Sequence, residues 1–536
     1  MPAGTRSLRF GETLIAPPAL PPPPTRHALL AFLITLAAIL QIGTVGWMEI
    51  ENGAEGFHAS TAREMWRTES WRTPEPPLSY WLTLVSFEFL GASATAARLP
   101  VALATVASVA LTFLIAERFG DYWRGFVAGL IHLCALGSFI WARLVTPEPL
   151  FAACLGAIFF CAITGYQRPQ TRPFWFAGVA AGMAFACLTR GVAGLLLPAA
   201  VFALLAIFFR EARMRFQLLL HWSNVVIFLA VILFSLGWNG FALSNFWPRD
   251  LAHEVSPWRF FSGHLVWWFP ASLLVLPGCL LAGRKIFRPH DFEFALAFPL
   301  CWLAVGFAPW LFFGWRQDFA ALGGWSAWAI FAATAWERTP PALRLAGLGL
   351  TTLAGAALAG VAVCDFTASL PALPSAWLGL RTVLALAGIL IALVSLIAAY
   401  FSWRNREMLA LAILLLGMVP VGLSAAEGMA RFGSYLSLAN VAHFLQPRVG
   451  ETGEVFFEGP ALAGSSLNFY LERAPIFVKS ETAEQSVIDA LSAPHPVFLI
   501  IPHRRVPFWQ ERLTDRFHLY HQVTTCGGYV VVSNQP

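Results

Sequence analysis

The chain has 536 residues, of which 57% are hydrophobic and only 12% are charged, and its formal net charge is +5. This composition excludes a soluble globular protein, since such proteins carry about 25% charged residues. The arginines behind the positive charge sit in short connections between apolar runs, so the charge does not indicate nucleic-acid binding. We therefore expect an integral membrane protein with no nucleic-acid partner.

The N-terminal 26 residues precede the first apolar run and are rich in proline. Residues 17–24 read PPALPPPP, and we predict that 1–26 form a disordered cytoplasmic segment. The first apolar run, 27–48, lacks a small-residue cleavage site before the polar loop that follows. It therefore predicts a membrane span and not a cleaved signal peptide.

Apolar runs long enough to cross a membrane recur as far as residue 425 and predict about 13 transmembrane helices. The predicted spans are 27–48, 96–117, 125–144, 147–166, 173–190, 191–209, 219–241, 265–283, 292–314, 317–336, 342–363, 377–401 and 408–425. Residues 77–91 form a half-length apolar segment, which we expect to lie in the membrane interface or re-enter it.

Arginine and lysine residues collect in alternate connections, which orients the predicted spans. Examples are Arg118 with Arg124 in one connection and Arg210, Arg213 and Arg215 in another. By the positive-inside rule these connections are cytoplasmic. The N-terminus is then cytoplasmic, and both the first loop (49–95) and the C-terminal region lie outside.

The composition changes again near residue 426, where short strands begin to alternate with helices. Strands are predicted at 453–458, 475–478, 496–501, 517–523 and 528–533, and helices at 465–473, 482–491 and 506–512. The pattern predicts that 426–536 form a small extracytoplasmic α/β domain with a partly parallel sheet. It shows neither a glycine-rich phosphate loop nor a nucleophile elbow, so we expect a cap or acceptor-handling module above a membrane domain at 27–425.

The loop after the first span is the most polar part of the membrane domain. Residues 49–81 read EIENGAEGFHASTAREMWRTESWRTPEPPLSYW and combine acids, arginines, a histidine and tryptophans. Membrane proteins often carry out chemistry where polar residues collect at the mouth of an apolar bundle. We predict an active-site loop here, with an ordinary solvated loop as the alternative.

A series of short motifs lies in and after this loop. They are AREM at 62–65, EPPLSYW at 75–81, RLP at 98–100, RLVTPE at 143–148 and LTRG at 188–191. In this order, and on these sides of the membrane, they resemble signatures of the GT-C glycosyltransferases of the ArnT and protein O-mannosyltransferase type. The SLNFYL segment at 466–471 is similar to one in the exported domain of that family, so the resemblance covers nearly the whole chain.

The resemblance implies transfer of a sugar from a polyprenyl-phosphate carrier to an envelope acceptor (lipid, glycan or protein) at the outer face of the bacterial inner membrane. Such chemistry needs a carboxylate to take the acceptor's proton and arginines to hold the lipid phosphate. The polyprenyl-phosphate-linked sugar is the donor, and a need for a divalent metal ion stays open. No CxxC or His/Cys cluster indicates a structural metal site.

The loop departs from the family pattern at its acidic positions. The family's loop Asp aligns with Ala54, and its EKPP motif has Glu75 where the lysine belongs. We therefore predict Glu55 as the catalytic base, with Glu51 as an alternative that requires the loop to repack. Glu148, which replaces the Asp after the TP motif, is the second candidate acid.

The candidate substrate-binding residues lie on the predicted outer side. The full set is Arg63, His58, Glu75, Tyr80, Arg190 and Arg259. Arginine on the outer side runs against the insertion bias, which favours Arg190 and Arg259 as phosphate contacts. The alternative is that these arginines form salt bridges with nearby acids (Glu64, Glu148, Glu254 or Asp318).

Two other classes of function also stay open. A non-catalytic relative that binds the lipid carrier or scaffolds envelope assembly would account for Ala54 and the altered EKPP motif. A secondary transporter is disfavoured, because the predicted spans hold almost no central charges and show no pair of matching broken helices.

Overall fold

A computed structural model describes residues 23–73, 75–239, 255–281, 294–312, 320–364, 376–450, 452–478, 484–512 and 521–534. These residues form a multi-pass helical membrane domain and a small α/β domain, which confirms the predicted fold class. The first helix begins at Pro23, so only residues 23–26 of the predicted disordered segment are described, and they are helical.

The described residues between 23 and 281 form thirteen α-helices of the membrane domain. They are α1 (Pro23–Ile42), α2 (Ala54–Arg67), α3 (Leu78–Leu90), α4 (Ala94–Ala116), α5 (Tyr122–Cys134), α6 (Leu136–Ile140), α7 (Glu148–Gln167), α8 (Arg172–Arg190), α9 (Ala193–Phe208), α10 (Arg210–Phe216), α11 (Trp222–Asn239), α12 (Pro257–Trp267) and α13 (Ala271–Leu281).

The second half continues with further long helices and then shorter ones that lead into the α/β domain. They are α14 (Phe294–Phe307), α15 (Pro309–Phe312), α16 (Trp325–Arg338), α17 (Pro341–Val363), α18 (Ala376–Trp403), α19 (Glu407–Arg431), α20 (Gly433–Leu436) and α21 (Ala439–Val449). The domain boundary predicted at residue 426 falls inside α19.

The described residues contain six helices long and apolar enough to cross a membrane, or up to nine spans if each of three bent helix pairs counts as one. The apolar helices α3, α9 and α14 are shorter. Each predicted span overlaps a helix, but the count of thirteen crossings stays a prediction. The predicted half-length segment at 77–91 corresponds to α3.

The most sharply bent of the predicted spans is the one at 265–283, which is not a continuous helix. Residues 265–281 of the span predicted at 265–283 divide between α12 and α13, whose axes differ by 111°. Pro270 lies at the break, and proline has no N–H to continue a helical hydrogen-bond ladder. The last two residues of that prediction lie outside the described ranges.

Ion pairs join helices at the end of the bundle that is predicted to be cytoplasmic. Arg26 of α1 donates to Glu117 through Nε at 2.8 Å, and Arg124 of α5 pairs with Glu337 of α16. Away from these ends the interior is apolar and aromatic, as where the rings of Phe159 and Trp302 lie 4.4 Å apart. The polar chemistry of the membrane domain is therefore concentrated at its two ends.

The polar loop contains a helix, α2, with two different faces. Glu55, His58, Ala59 and Ala62 are buried, and their spacing of three to four residues puts them on one side of the helix. The N-terminal cap is Gly53, whose φ of +92° suits glycine. One face of α2 is thus turned into the protein, and the other is free to form a surface.

The described residues of the C-terminal domain form a five-stranded sheet in the order β2-β1-β3-β5-β4. Its strands are β1 (Glu454–Glu458), β2 (Ile476–Val478), β3 (Val497–Pro502), β4 (His521–Cys526) and β5 (Tyr529–Ser533), with helices α22 (Ser465–Tyr470), α23 (Glu484–Leu491) and α24 (Val506–Arg512). Strands β2, β1 and β3 are parallel, and β5 is antiparallel to both β3 and β4. This sheet is partly parallel, as predicted from the alternation of elements.

Candidate functional site

The C-terminal domain clamps the start of the polar loop through the first turn of α22. Ser465 Oγ accepts from Gly53 N at 2.9 Å and donates to Gly53 O at 3.1 Å. Ser466 Oγ donates to Asn52 Oδ1 at 2.7 Å, and Ser466 N donates to the same oxygen at 3.2 Å. These bonds hold the residues just before α2 against the α/β domain.

A tyrosine at the end of α22 extends this clamp toward the first span. Tyr470 Oη accepts from Ile50 N at 2.8 Å and donates to the Glu49 carboxylate. Together with Ser465 and Ser466, Tyr470 therefore fixes the chain from 49 to 53. The SLNFYL segment singled out in the sequence has a physical role, which is to position the polar loop.

Gly56 is the point where the clamp is tightest, and Gly56→Ala is expected to loosen it. A Cβ at this position would lie 2.4 Å from Ser465 Oγ, 2.7 Å from Glu51 O and 2.9 Å from Ser466 N. Two of these atoms belong to the backbone and cannot rotate away, so α2 and α22 must separate. We expect a cost of about 1–3 kcal/mol and faster proteolysis of the C-terminal domain.

Gly433→Ala provides the matched control, because no atom lies within 4 Å of a Cβ built there. Limited proteolysis and thermal unfolding of both variants would make the comparison. Equal protease resistance in Gly56→Ala and the wild type would contradict the clamp.

Glu55 lies at the centre of a buried hydrogen-bond network. Its carboxylate accepts from Arg98 Nε at 2.8 Å and from Arg98 Nη2 at 2.7 Å, a bidentate pair. It also accepts from Glu51 N at 2.8 Å and Val145 N at 3.0 Å. The side chains of Glu55 and Arg98 are at most 2% exposed, so this ion pair is shielded from solvent.

This geometry changes the role assigned to Glu55. A catalytic base needs a free oxygen within reach of a substrate hydroxyl. All of the Glu55 hydrogen bonds are internal, and they tie α2 to α4 and to the segment before α7. Glu55 is therefore better placed to position the loop than to take a proton, and the sequence did not reveal this because Arg98 is 43 residues away.

Glu51 has the properties that Glu55 lacks. Its Oε1 atom is buried and has no hydrogen-bond partner among the described residues. Burial, followed by repulsion from Glu55, raises the pKa of Glu51 to about 8, although Arg98 opposes the shift. A carboxylate that exchanges its proton near neutral pH is suited to general-base catalysis.

A second polar cluster joins α2 to α3. Tyr80 Oη donates to Glu75 Oε2 at 2.9 Å and lies 2.8 Å from His58 Nδ1. The hydroxyl has a single proton, which goes to Glu75, so His58 Nδ1 is the donor in its bond to Tyr80. Burial lowers the pKa of His58 and outweighs the opposing effect of Glu75, so the imidazole stays neutral.

Glu148 and Arg190 complete this cluster from two helix ends. Arg190 Nη2 lies 2.9 Å from Glu148 Oε1, and the second oxygen, Oε2, is buried without a partner among the described residues. Glu148 is the first residue of α7 and Arg190 the last of α8, so each charge lies at the helix end that stabilises it. Both charges act on the pKa of His58, which places them beside the second cluster.

Arg63 and Arg259 do not join either cluster. Arg63 Nη1 donates to the carbonyl oxygens of Phe469 and, at 2.8 Å, Leu471, which fastens α2 to the C-terminal domain. Arg259 is an exposed residue in the first turn of α12, and its backbone N–H is capped by Ser256 Oγ at 3.3 Å. The structure therefore gives Arg63 a docking role and shows Arg259 at the surface.

Two arginines that the sequence did not single out belong to the site. Arg98 pairs with Glu55, and Arg143 is 4% exposed, with its Nε and Nη1 atoms unpartnered among the described residues. Arg98 belongs to the RLP motif at 98–100, and Arg143 belongs to the RLVTPE motif at 143–148. The signal was present in those motifs, but one sequence does not show which arginine faces inward.

Ala54, which aligns with the family's loop Asp, packs against an apolar cluster. Leu144, Leu322 and Trp325 form this cluster, and a carboxylate placed among them would lose its hydration. The same helix end carries acids on either side of Ala54, at Glu51 and Glu55. Among the described residues, no group of three or more His, Cys, Asp or Glu side chains could hold a metal ion.

Comparisons with known proteins match parts of the sequence. Residues 74–238 match the family described as dolichyl-phosphate-mannose-protein mannosyltransferase. The chain is 29% identical over 322 residues to undecaprenyl phosphate-alpha-4-amino-4-deoxy-L-arabinose arabinosyl transferase 2 of Pseudomonas fluorescens, covering 53% of this chain and 54% of the relative. An uncharacterized protein of Aquifex aeolicus is 29% identical over 184 residues, covering 32% and 36%. The chain thus spans about a third to a half of the curated relatives it matches.

Solved structures with the same fold cover more of the chain. ArnT from Cupriavidus metallidurans in the apo state superposes with a TM-score of 0.78 at 19% identity, covering 95% of this chain and 98% of that one. The same ArnT bound to undecaprenyl phosphate gives a TM-score of 0.76. An oligosaccharyltransferase of Archaeoglobus fulgidus in complex with an inhibitory peptide and a dolichol-phosphate gives a TM-score of 0.53 at 10% identity, covering 90% of this chain and 70% of that one.

The fold is therefore that of the GT-C membrane glycosyltransferases, which agrees with the order of the motifs. The similarity in fold to ArnT extends over 95% of the chain, whereas the family model matches residues 74–238.

Proposed function

We propose that the protein transfers a sugar, of the pentosyl or hexosyl type, from a polyprenyl-phosphate carrier to an envelope acceptor at the outer face of the bacterial inner membrane. The observation that carries this proposal is the pair of buried carboxylate oxygens, Glu51 Oε1 and Glu148 Oε2, that no described residue satisfies. Buried polar atoms normally have partners, so these two are expected to meet groups of a bound substrate.

The two clusters divide the chemistry between them. Glu51 would accept the proton of the attacking hydroxyl, and Arg190 would stabilise the negative charge that grows on the departing lipid phosphate. Glu148 holds Arg190 in place before the phosphate arrives. His58, Glu75 and Tyr80 would contact the sugar, because together they present a neutral imidazole, a hydroxyl and an acid in one buried array.

Glu55 would take no proton in this mechanism. It would position Glu51 by accepting the Glu51 backbone N–H, while Arg98 compensates its charge. Glu51 lies in the Glu55–Arg98 network, and Arg190 lies beside the cluster of His58, Glu75 and Tyr80. A base and a phosphate contact placed separately in this way would suit an in-line displacement with inversion, in which the attacking and leaving groups lie on opposite sides of the sugar.

A transfer assay tests the proposal. Purified protein would be given radiolabelled polyprenyl-phosphate pentose and hexose donors with membrane extract as acceptor, beside an Arg190→Gln variant. Loss of one charge-stabilising donor is expected to lower kcat about 10²–10³-fold, because the phosphate charge is largest in the transition state. The exposed Arg448→Gln on α21 is the control.

The alternative, a non-catalytic relative that binds the lipid carrier, gives a different result in the same assay. Carrier binding without transfer from any donor would favour that alternative and overturn the enzymatic proposal. Transfer by Arg190→Gln at the wild-type rate would leave the enzyme but remove Arg190 from its mechanism.

A further inference from the structure

A group of arginines gathers where several helices end at the side of the bundle predicted to be cytoplasmic. We call it the arginine cluster, and its members are Arg118 after α4, Arg168 after α7, Arg172 at the start of α8 and Arg215 in α10. Arg168 lies near enough to Arg118, and Arg215 near enough to Arg172, for their positive charges to repel. The three-residue turn 169–171 joins the two pairs along the chain.

The acids beside the arginine cluster do not balance its charge. Two carboxylates lie near it, and both are already paired: Glu117 with Arg26, and Glu211 with Arg215. The other three arginines of the cluster have no carboxylate partner among the described residues. Because like charges that lie close together repel, the cluster favours an added anion.

The hydrogen bonds of the cluster leave most of its donors free. Arg172 Nε donates to Gly165 O at 3.1 Å, and Arg215 Nη1 donates to Tyr166 O at 2.8 Å. Arg168 is exposed, and its guanidinium has no partner among the described residues. Each guanidinium carries five N–H donors in a planar fork that suits phosphate oxygens. The cluster therefore keeps the kind of donors that bind a phosphate group.

The segment that carries Arg215 also exposes large apolar side chains. Ala212 and Phe216 are buried against the bundle, whereas the exposed side includes four large apolar residues, Met214, Leu218, Leu220 and Trp222. The segment Arg210–Leu220 is inclined by 55° to the helix that follows it. A basic helix with exposed apolar side chains, tilted away from a span, is typical of a helix that lies in the membrane interface. This arrangement suits the level at which phospholipid head groups meet acyl chains.

We propose that the arginine cluster binds the phosphodiester head group of an anionic phospholipid in the leaflet predicted to be cytoplasmic. The acyl chains of this lipid lie against the exposed apolar residues between 214 and 222. Both features select the ligand, since a free phosphate would leave the apolar residues uncovered and a zwitterionic lipid would not compensate the charge. The bound lipid would connect the turn between α7 and α8 to α10.

The inference does not depend on the proposed sugar transfer, because the cluster and the polar loop lie at opposite ends of the same helices. Helix α7 runs from Glu148 to the cluster, and α8 runs from the cluster to Arg190. A helix of this length spans about 30 Å. The lipid would therefore act on the fold of the membrane domain and would not contact the groups assigned to the reaction.

Native mass spectrometry of the full-length protein in detergent micelles tests the inference. The protein would be titrated with phosphatidylglycerol and, as the zwitterionic lipid, with phosphatidylethanolamine. We expect tighter binding of phosphatidylglycerol, and we expect the double variant Arg168→Gln, Arg172→Gln to lower its affinity about 30-fold. Phosphatidylglycerol should also raise the thermal unfolding midpoint of the wild type more than that of this variant, because the lipid binds the folded state.

The matched control is the double variant Arg404→Gln, Arg406→Gln. It removes two exposed arginines from another connection on the same predicted side, and it should bind phosphatidylglycerol as the wild type does. The single variant Arg168→Gln has no protein partner to lose among the described residues. It keeps the test valid if the first double variant fails to fold, and it should lower the affinity about fivefold.

Two kinds of result would overturn the inference. Equal losses of affinity in the two double variants would indicate attraction to the whole basic surface and no site at the arginine cluster. Equal binding of the two lipids, or displacement of phosphatidylglycerol by inorganic phosphate at equal concentration, would exclude an anionic phospholipid as the ligand.

Discussion

Glu51→Gln is expected to lower sugar transfer about 10²–10⁴-fold, the contribution typical of a positioned general base. Glutamine has the shape of glutamic acid but cannot accept the proton. The backbone N–H of residue 51 would still donate to Glu55, so the loop should keep its conformation. Glu69→Gln, at an exposed acid of the same loop, is the control and should transfer sugar at the wild-type rate.

The pH profile of the wild type tests the same residue independently. Because the pKa of Glu51 is raised to about 8, its carboxylate forms only as the pH rises through that value. Transfer should therefore increase between pH 6 and 9, and the profile of the residual activity of Glu51→Gln should be flat in that range. A wild-type rate that is independent of pH across this window would contradict Glu51 as the base.

The same shift predicts how the stability of the fold depends on pH. The folded protein retains the Glu51 proton up to about pH 8, whereas the unfolded chain loses it near pH 4.5. Between these values the unfolded state binds fewer protons, so the free energy of unfolding falls as the pH rises. Glu51→Gln removes this dependence and should raise the thermal unfolding midpoint relative to the wild type above neutral pH.

Disruption of the Glu55–Arg98 pair is expected to cause the largest loss of stability in the part of the molecule around the polar loop. Arg98→Gln or Glu55→Gln should each cost about 3–5 kcal/mol, because removal of one partner leaves the other buried and unpaired. Arg98 also donates to the carbonyl oxygens of Val45, at 3.3 Å, and Glu49, at 2.8 Å. Its loss should therefore also release the end of the first span.

A double-mutant cycle measured by chemical unfolding in detergent would test this coupling. The double variant is expected to lose less than the sum of the two single variants, because neither residue is then left with an unpaired charge. The exposed pair of Glu427 and Arg431, at 3.0 Å, is the matched control and should show coupling of only about 0.3–0.5 kcal/mol. Additive losses at Glu55 and Arg98 would contradict their assignment as one unit.

The α/β domain could be predicted closely from the sequence. The prediction of a strand at 496–501 compares with β3 at Val497–Pro502, and the helix predicted at 506–512 is α24. Short apolar runs bounded by Pro, Gly and charged residues carry this information locally. The start of the fourth strand was predicted at 517, and its first four residues lie outside the described ranges.

Helix breaks in the membrane domain were harder to predict. Pro270 lies at a 111° bend, whereas Pro100 lies within α4. Hydropathy averages over a window of residues and does not distinguish a proline that a helix tolerates from one that ends it. The outcome depends on the neighbouring helices that pack around each proline.

The positions of the acids and arginines could likewise be read from the sequence, whereas their roles depended on the tertiary structure. Composition and hydropathy, with the order of the motifs, were sufficient for the membrane class, the C-terminal α/β domain and the location of the polar loop in the sequence, because these depend on local sequence. Tertiary structure alone decided that Glu55 is paired with Arg98, that Glu51 keeps a free buried oxygen, and that Arg63 fastens α2 to the C-terminal domain. The two contacts join residues 43 or more positions apart, and the Glu51 oxygen is buried by tertiary packing, so no local pattern in a single sequence records these results.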